Sequence, residues 1–274
     1  MPVISTNMAA NSAVSYLNIN SQQETSALEK LSSGSRITSA SDDAAGLAIS
    51  TRISSDVTTL QQAATNASQA TAILQTADGG ASNISDILAR MKSLASESSS
   101  GTTVDSSRAY IESEFSQLTQ EIDSIATGTR YSGQSLLDGS SVFASGVSVM
   151  VGSSGSDTIS ITLTSLTSTS LGVSTLDVST QSGATSALSL LDSAINTVSA
   201  ARASIGAQES RFNFSSESIS TQTQNLQSAN SAIKDVDIAS EQATLSSAEV
   251  KTQAAVSAES AANQMPQYLL KLLG

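Results

Sequence analysis

One row of residues constrains this chain more than anything else in it. Leu191, Val198, Ile205, Phe212, Ile219, Leu226 and Ile233 recur every seven residues without a miss. Seven residues make two turns of an α-helix, so the row predicts one long helix with a narrow apolar stripe. At about 1.5 Å per residue it would run roughly 60 Å. The positions between are Leu188, Ile195, Arg202, Glu209, Ser216, Thr223 and Asn230, apolar at first and then polar. A stripe half made of polar groups does not sustain a two-stranded coil. The helix needs partners on more than one side. The polar positions read most simply as a solvated flank; the alternative is that they set registry by penalising wrong alignments.

Two more helices follow from the same periodicity. Residues 44–99 carry Ile53, Val57, Leu60, Ala64, Ala67, Thr71 and Leu74, then Ile84, Leu88, Met91 and Ala95 in a shifted phase after a soft spot at Gly79-Gly80. Gly101 is the expected cap at its end. A third helix carries Ile111, Phe115, Leu118, Ile122 and Ile125 and stops near Gly128. Between Thr129 and Gly183 the text turns to Ser, Thr and Gly. Val147, Val149 and Val151, then Ile159, Ile161 and Leu163, alternate with small polar residues around Gly152–Asp157, which predicts a β-hairpin with one dry face. The ends are amphipathic too. The N-terminal seam reads Val3, Asn7, Ala10, Val14, Leu17, Ser21, Glu24, Leu28 and Leu31, and an Ala-rich segment from Ile238 closes with Leu269, Leu270, Leu272 and Leu273. The expected fold is mainly α: long antiparallel helices in a coiled-coil-like bundle, a small β-hairpin region, and paired N- and C-terminal helices.

Composition narrows the function. Aromatics are 3% and Trp is absent, so the core is thin and Ala-rich and leaves burial to be completed by other copies. The expected assembly seam comprises Val14, Leu17, Leu28, Leu31, Leu226, Ile233, Leu245, Leu269 and Leu272. With no His and no Cys, nucleophile and base chemistry on those side chains, thiolate or imidazole metal sites, and disulfides are excluded. No catalytic residue, metal or cofactor is expected. A net charge of −12 disfavours nucleic acid and anionic membrane surfaces as partners. No run approaches the roughly 18 apolar residues of a membrane span. The start, Met1-Pro2-Val3-Ile4, has no basic region, so export without a cleaved signal peptide is expected.

One turn is legible in detail. Gly34 follows a helical run and suits a left-handed cap. Ser39 and Asp42 have capping-box spacing, which would place Asp42 and Asp43 in the first turn of the next helix, where the dipole favours negative charge. Adjacent acids also serve acid–base catalysis, but no His or second acidic cluster accompanies them here. Arg36 is placed to reach the two acids.

These residues also carry a resemblance. Leu28-Glu29-Lys30-Leu31-Ser32-Ser33-Gly34-Ser35-Arg36-Ile37 and Ser39-Ala40-Ser41-Asp42-Asp43-Ala44-Ala45-Gly46-Leu47-Ala48-Ile49-Ser50 resemble the N-terminal signature of bacterial flagellins. Arg108, Ile111, Glu114, Leu118, Glu121, Ile122 and Asp123, then Tyr131–Gly139, Ala201–Gln208 and Ala262–Gln267, continue the likeness in order. The resemblance implies a short flagellin. An inner helical layer, D0, would comprise 1–42 plus 238–274, and D1 would comprise 43–237, with no outer D2 or D3 insertion. It implies a self-polymerising filament subunit for swimming, extracellular, whose terminal helices order on assembly. The alternative is a hook–filament junction protein of the same assembly. Implied partners are further copies, the type III export apparatus and its chaperone, hook-junction and cap proteins, and sister flagellins. Arg90, Leu94 and Glu114 match a family surface used for subunit contact and, in some members, for recognition by an innate immune receptor. Departures at Ala89, Lys92 and Ser93 favour subunit contact.

Overall fold

The computed structural model describes residues 7–273, apart from the side chains of Pro266 and residues 269–273. The long helices are α1 (Met8–Ser33), α2 (Ala44–Ser99), α3 (Asp105–Gly128), α5 (Gln181–Lys234) and α6 (Ile238–Leu273). Between α3 and α5 lie β1 (Arg130–Tyr131), β2 (Gln134–Ser135), the short α4 (Val142–Ser145), β3 (Val147–Met150) and β4 (Thr158–Ile161). The chain forms two compact units. A terminal unit comprises Met1–Ser55 with Asn225–Gly274, and a central unit comprises Asp56–Gln224.

In the central unit the helices pack as the apolar rows require. As α2 climbs through Gln75, Asp78 and Lys92, its side-chain partners on α5 fall through Glu209, Arg202 and Asp192, so the two run antiparallel. Leu74, Ile84, Leu88 and Met91 of α2, Phe115 and Ile122 of α3, and Leu191, Val198 and Phe212 of α5 are all buried at the centre. Seven-residue spacing therefore picked out the true stripe of α5.

The flanking polar row is not merely solvated. Arg202 grips Asp78 through Nε and Nη2 at 2.8 and 3.2 Å, Glu209 accepts from Gln75 at 2.9 Å, and in the terminal unit Asn230 accepts the Ser50 hydroxyl at 2.7 Å. Three of the five polar positions are thus cross-helix bonds, which fix register because a slip of one turn would break each.

Two glycine expectations need correction. Gly79-Gly80 is no soft spot: α2 runs straight through it. A Cβ on Gly80 would lie 2.5 Å from Thr129 Oγ1 and 2.9 Å from Leu137, so the missing side chain admits the chain leaving α3. Gly101 does not close α2 in the left-handed conformation, since it is absent from the positive-φ residues. The exposed carbonyls there are taken instead by Arg108, whose Nε reaches Ser98 O and whose Nη2 reaches Ser100 O, both at 2.9 Å, and by Thr103 Oγ1 on Glu97 O at 2.8 Å.

The β region folds onto these helices. Ser132 and Gly133 have φ of 49° and 81°, the pair of positive angles that a two-residue type I′ turn requires, and they join β1 to β2, a pairing the periodicity had not predicted. The predicted hairpin forms with Val147 opposite Ile161 and Val149 opposite Ile159. Its dry face, Ile159, Ile161 and the following Leu163, is buried. Helix side chains pin it at both strands. Asn66 donates to Met150 O at 3.2 Å, and the Gln208 amide both donates to Thr162 O (3.0 Å) and accepts its N–H (2.9 Å), as a neighbouring strand would.

The terminal unit pairs α1 with α6 antiparallel. Asn7 caps α1 by accepting Ala10 N at 3.1 Å and donates to Ala262 O at 2.8 Å, while Ser35 bridges Asp235 at the other end. The inward row of α1 is Ala10, Ala13, Leu17, Asn20, Glu24, Ala27 and Leu31; that of α6 is Leu245, Ala248, Thr252, Ala255, Glu259 and Ala262. Both alternate steps of three and four, the geometry of a coiled coil. Of the expected N-terminal seam, Ala10, Leu17, Glu24 and Leu31 face α6, while Val14, Ser21 and Leu28 face outward. Val3 lies outside the described residues.

Candidate assembly surface

The signature turn joins α1 to α2 through a set of backbone-directed bonds. Gly34 is the left-handed cap of α1 at φ 67°. Asp42, expected inside the first turn of α2, lies before it: one carboxylate oxygen accepts Thr38 N, Thr38 Oγ1 and Ser39 N at 2.9–3.0 Å. The Ser39 amide, then the Thr38 amide and hydroxyl, hold this carboxyl below the usual aspartate range. Asp43, not Ser39, is the helix cap, accepting Gly46 N at 2.8 Å. A Cβ on residue 46 would sit 2.4 Å from that carboxylate and 2.8 Å from buried Ile37, so the spacing Asp43-x-x-Gly46 is required by packing. Arg36 does not turn to the acids. Its Nη2 donates to Ile233 O at 2.7 Å and its amide to Lys234 O, placing a cation at the C-terminal end of α5, where the helix dipole favours it. The turn thus ties α1, α2 and α5 together by main-chain contacts, and sequence spacing alone did not show the α5 link.

The expected seam residues separate into two groups. Leu245 is buried against α1, and Leu17, Leu31, Leu226 and Ile233 are half-buried. Val14 and Leu28 are 38% and 58% exposed. The side chains of Leu269 and Leu272 lie outside the described residues. Among the described residues sixteen large apolar side chains remain exposed, and eleven of them belong to the smaller terminal unit. They include Met8, Tyr16, Ile19 and Leu28 on α1 and Ile238, Val250 and Tyr268 on α6. Leu28 also walls a groove of about 570 Å³ with Glu29, Ser32, Ser33, Thr38 and Ser39, between the end of α1 and the signature turn. The bulky apolar side chains left in water are thus concentrated in the terminal unit.

On the central unit, Arg90 donates to Glu114 Oε1 through Nε and Nη2 at 2.9 and 2.7 Å, with both side chains about half exposed. Leu94 is 2% exposed and belongs to the core, so it is not part of that surface. Lys92, one of the departures, pairs with Asp192 on α5. Among the described residues no cluster of three acidic side chains is placed to hold a metal, and no helix is long and apolar enough to cross a membrane.

The chain matches the family model for the bacterial flagellin N-terminal helical region over residues 4–142 and that for the C-terminal helical region over residues 188–273. It belongs to the bacterial flagellin family. A flagellin of Halalkalibacterium halodurans is 35% identical over 99% of both chains, and one of Listeria monocytogenes is 35% identical over 98% of this chain and 99% of its own length. A flagellar filament 30.7 kDa core protein of Treponema maltophilum is 33% identical over 99% of both. The crystal structure of Bacillus cereus flagellin superposes with a TM-score of 0.52 at 28% identity, covering 61% of this chain and 94% of that one. A hook-associated flagellar protein of Vibrio parahaemolyticus reaches a TM-score of 0.60 at 13% identity, a likeness of fold alone. This flagellin is a structural subunit of the flagellar filament.

Proposed function

We propose that this flagellin polymerises by coupling the ordering of its terminal helices to the docking of other copies. The observation that supports this is the division of apolar residues in the terminal unit. The α1–α6 seam holds six Ala and only three Leu, with Asn20, Glu24, Thr252 and Glu259 between, whereas most of the bulky side chains point outward. Ordering a residue costs about 1–2 kcal/mol in backbone entropy, and an Ala–Ala contact returns little of it. A buried Leu, Ile or Met returns about 1.5–3 kcal/mol. The pair is therefore near balance alone and tips toward order once neighbours cover Tyr16, Ile19, Leu28 and Val250.

In the filament, residues 1–42 with 238–274 form the inner layer and 43–237 the surrounding layer, without an outer domain. The exposed Arg90–Glu114 face contributes contacts between neighbouring subunits. Swimming, delivery by the flagellar export apparatus with its chaperone, and contact with hook-junction and cap proteins or sister flagellins follow from the same reading. The role is wholly structural, with no catalytic step.

Protease digestion of monomer and filament tests the coupling. Residues 1–40 are cut rapidly in the monomer and protected in the filament; equal protection in both would rule the coupling out.

A further inference from the structure

Two Asp-Gly pairs stand in this chain, Asp78-Gly79 and Asp138-Gly139. Such a pair is chemically weak. With no Cβ on the glycine, its amide nitrogen can reach the carboxyl carbon of the aspartate before it. An N–C bond then forms, the carboxyl hydroxyl leaves with the amide proton as water, and a five-membered succinimide results. Water opens the ring at either carbonyl. One opening restores aspartate. The other leaves isoaspartate, in which the main chain runs through the side-chain carboxyl and is one methylene longer. The sequence of steps needs no oxidant and no co-reactant but water.

The fold holds the two pairs in different ways. Asp78 lies inside α2, and ring closure demands a ψ far from the helical value of about −42°. Asp138 has no helix around it. It follows β2, its neighbours Gly139 and Ser140 are exposed to water, and Gly139 takes a φ of 78°. Two serines fix it instead. The Asp138 carboxylate accepts the Ser140 amide at 2.9 Å on one oxygen and the Ser140 hydroxyl at 2.6 Å on the other. That hydroxyl, and after it the amide, hold this carboxyl below the usual aspartate range. An ionised carboxylate is a poor target for the amide nitrogen, because only the acid form loses water. Behind the pair, the Ser165 hydroxyl donates to Asp138 O at 3.2 Å, and a Cβ on Gly139 would lie 2.8 Å from Ser165 Cβ, so the peptide has little room to swing.

We propose that Asp138-Gly139 is a latent modification site, kept intact in the folded chain by the Ser140 clamp and the Ser165 backing, and converted to isoaspartate while the chain lies unfolded. The conversion has a structural consequence. Leu137, the residue before it, is buried, its carbonyl accepts Leu166 N at 2.8 Å, and its side chain lies against Gly80 of α2. An extra methylene in the next residue puts these contacts out of step with Ser140 and Ser165 beyond it. A chain that has been unfolded for long is thereby marked, and it refolds to a weaker central unit.

Ageing of the full-length chain at neutral pH, folded in buffer and unfolded in urea, tests this, with isoaspartate located by peptide mapping and enzymatic methylation of its free carboxyl. In urea both Asp138 and Asp78 convert. In the folded chain conversion at Asp138 slows severalfold or more. Ser140→Ala speeds the folded rate at Asp138 by about two- to tenfold, the factor for one lost hydrogen bond, and leaves its rate in urea and the rate at Asp78 unchanged. Ser140→Thr keeps the hydroxyl and stays as slow as the wild type. No isoaspartate at Asp138 in urea, equal wild-type rates folded and unfolded, or an unchanged folded rate in Ser140→Ala each overturns the proposal. A rise of the same size at Asp78 in that variant would trace to general unfolding and overturns the clamp.

Discussion

Leu28 is the sharpest place to test whether the outward row of α1 is an assembly face. It is 58% exposed in the single chain, while its neighbour Ala27 is 1% exposed in the α1–α6 seam. Rather more than half of the Leu28 side chain is therefore left to bury. With full burial of a Leu worth about 1.5–3 kcal/mol, docking of copies gains about 1–2 kcal/mol per subunit from this side chain. Leu28→Ala removes that gain from every addition step, and the critical concentration for growth rises by about 5- to 30-fold. Leu28→Asp adds the desolvation of a carboxylate in an apolar contact, several kcal/mol more, and filaments do not form at practical concentrations. The free subunit is hardly touched in either variant, because the site faces solvent there. The assay is the protein left in the supernatant after seeded growth and sedimentation, beside the melting temperature of the unpolymerised chain. A Leu28→Ala critical concentration within twofold of wild type, or normal filaments from Leu28→Asp, would refute the outward face as an interface.

Adjacent glycines of α2 behave oppositely in thermal melts. Gly79→Ala, with nothing within 4 Å of the new methyl, stabilises the central unit by about 0.5–1 kcal/mol, whereas Gly80→Ala, which strikes Thr129 and Leu137, destabilises it by about 1–3 kcal/mol. A double-mutant cycle on Arg202 and Asp78 gives a coupling of only about 0.5–1 kcal/mol, since both side chains are 39% exposed and screened by water; it shrinks with added salt. Asp42→Ala lowers the stability of the signature turn at neutral pH. Because the folded pKa of Asp42 is depressed, its contribution is present above the ordinary aspartate range and lost as pH falls through the folded value, so wild type and variant converge in acid by urea denaturation at several pH values.

Periodicity carried the helices because a buried stripe must repeat with the helix, whatever covers it. The bounds of α2 and the end of α3 near Gly128 were legible for that reason, as was the hairpin, whose dry face alternates with period two. What was not legible depends on partners distant in the chain. Arg36 reads as a neighbour of Asp42 and Asp43 until the fold brings Ile233 O to it. Gly80 reads as a weak point until Thr129 and Leu137 arrive against it. Val14 and Leu28 fit a seam because α1 offers two apolar faces. Only the position of α6 shows that the Ala-rich face is the one turned inward.

The seven-residue row of α5 shows why such a chain calls for copies of itself. From Leu191 to Ile219 the row lies in the central unit, and its members are at most 3% exposed. There α3 and the β region close over the same core. Leu226 and Ile233 continue the row into the terminal unit, where both are only half-buried. The repeat does not weaken at that point; the cover does. An apolar stripe continued past the end of its covering helix has no role in an isolated molecule, since leaving it half wet forgoes the burial that would stabilise it. On the assembly proposed above, a neighbouring subunit supplies the missing cover.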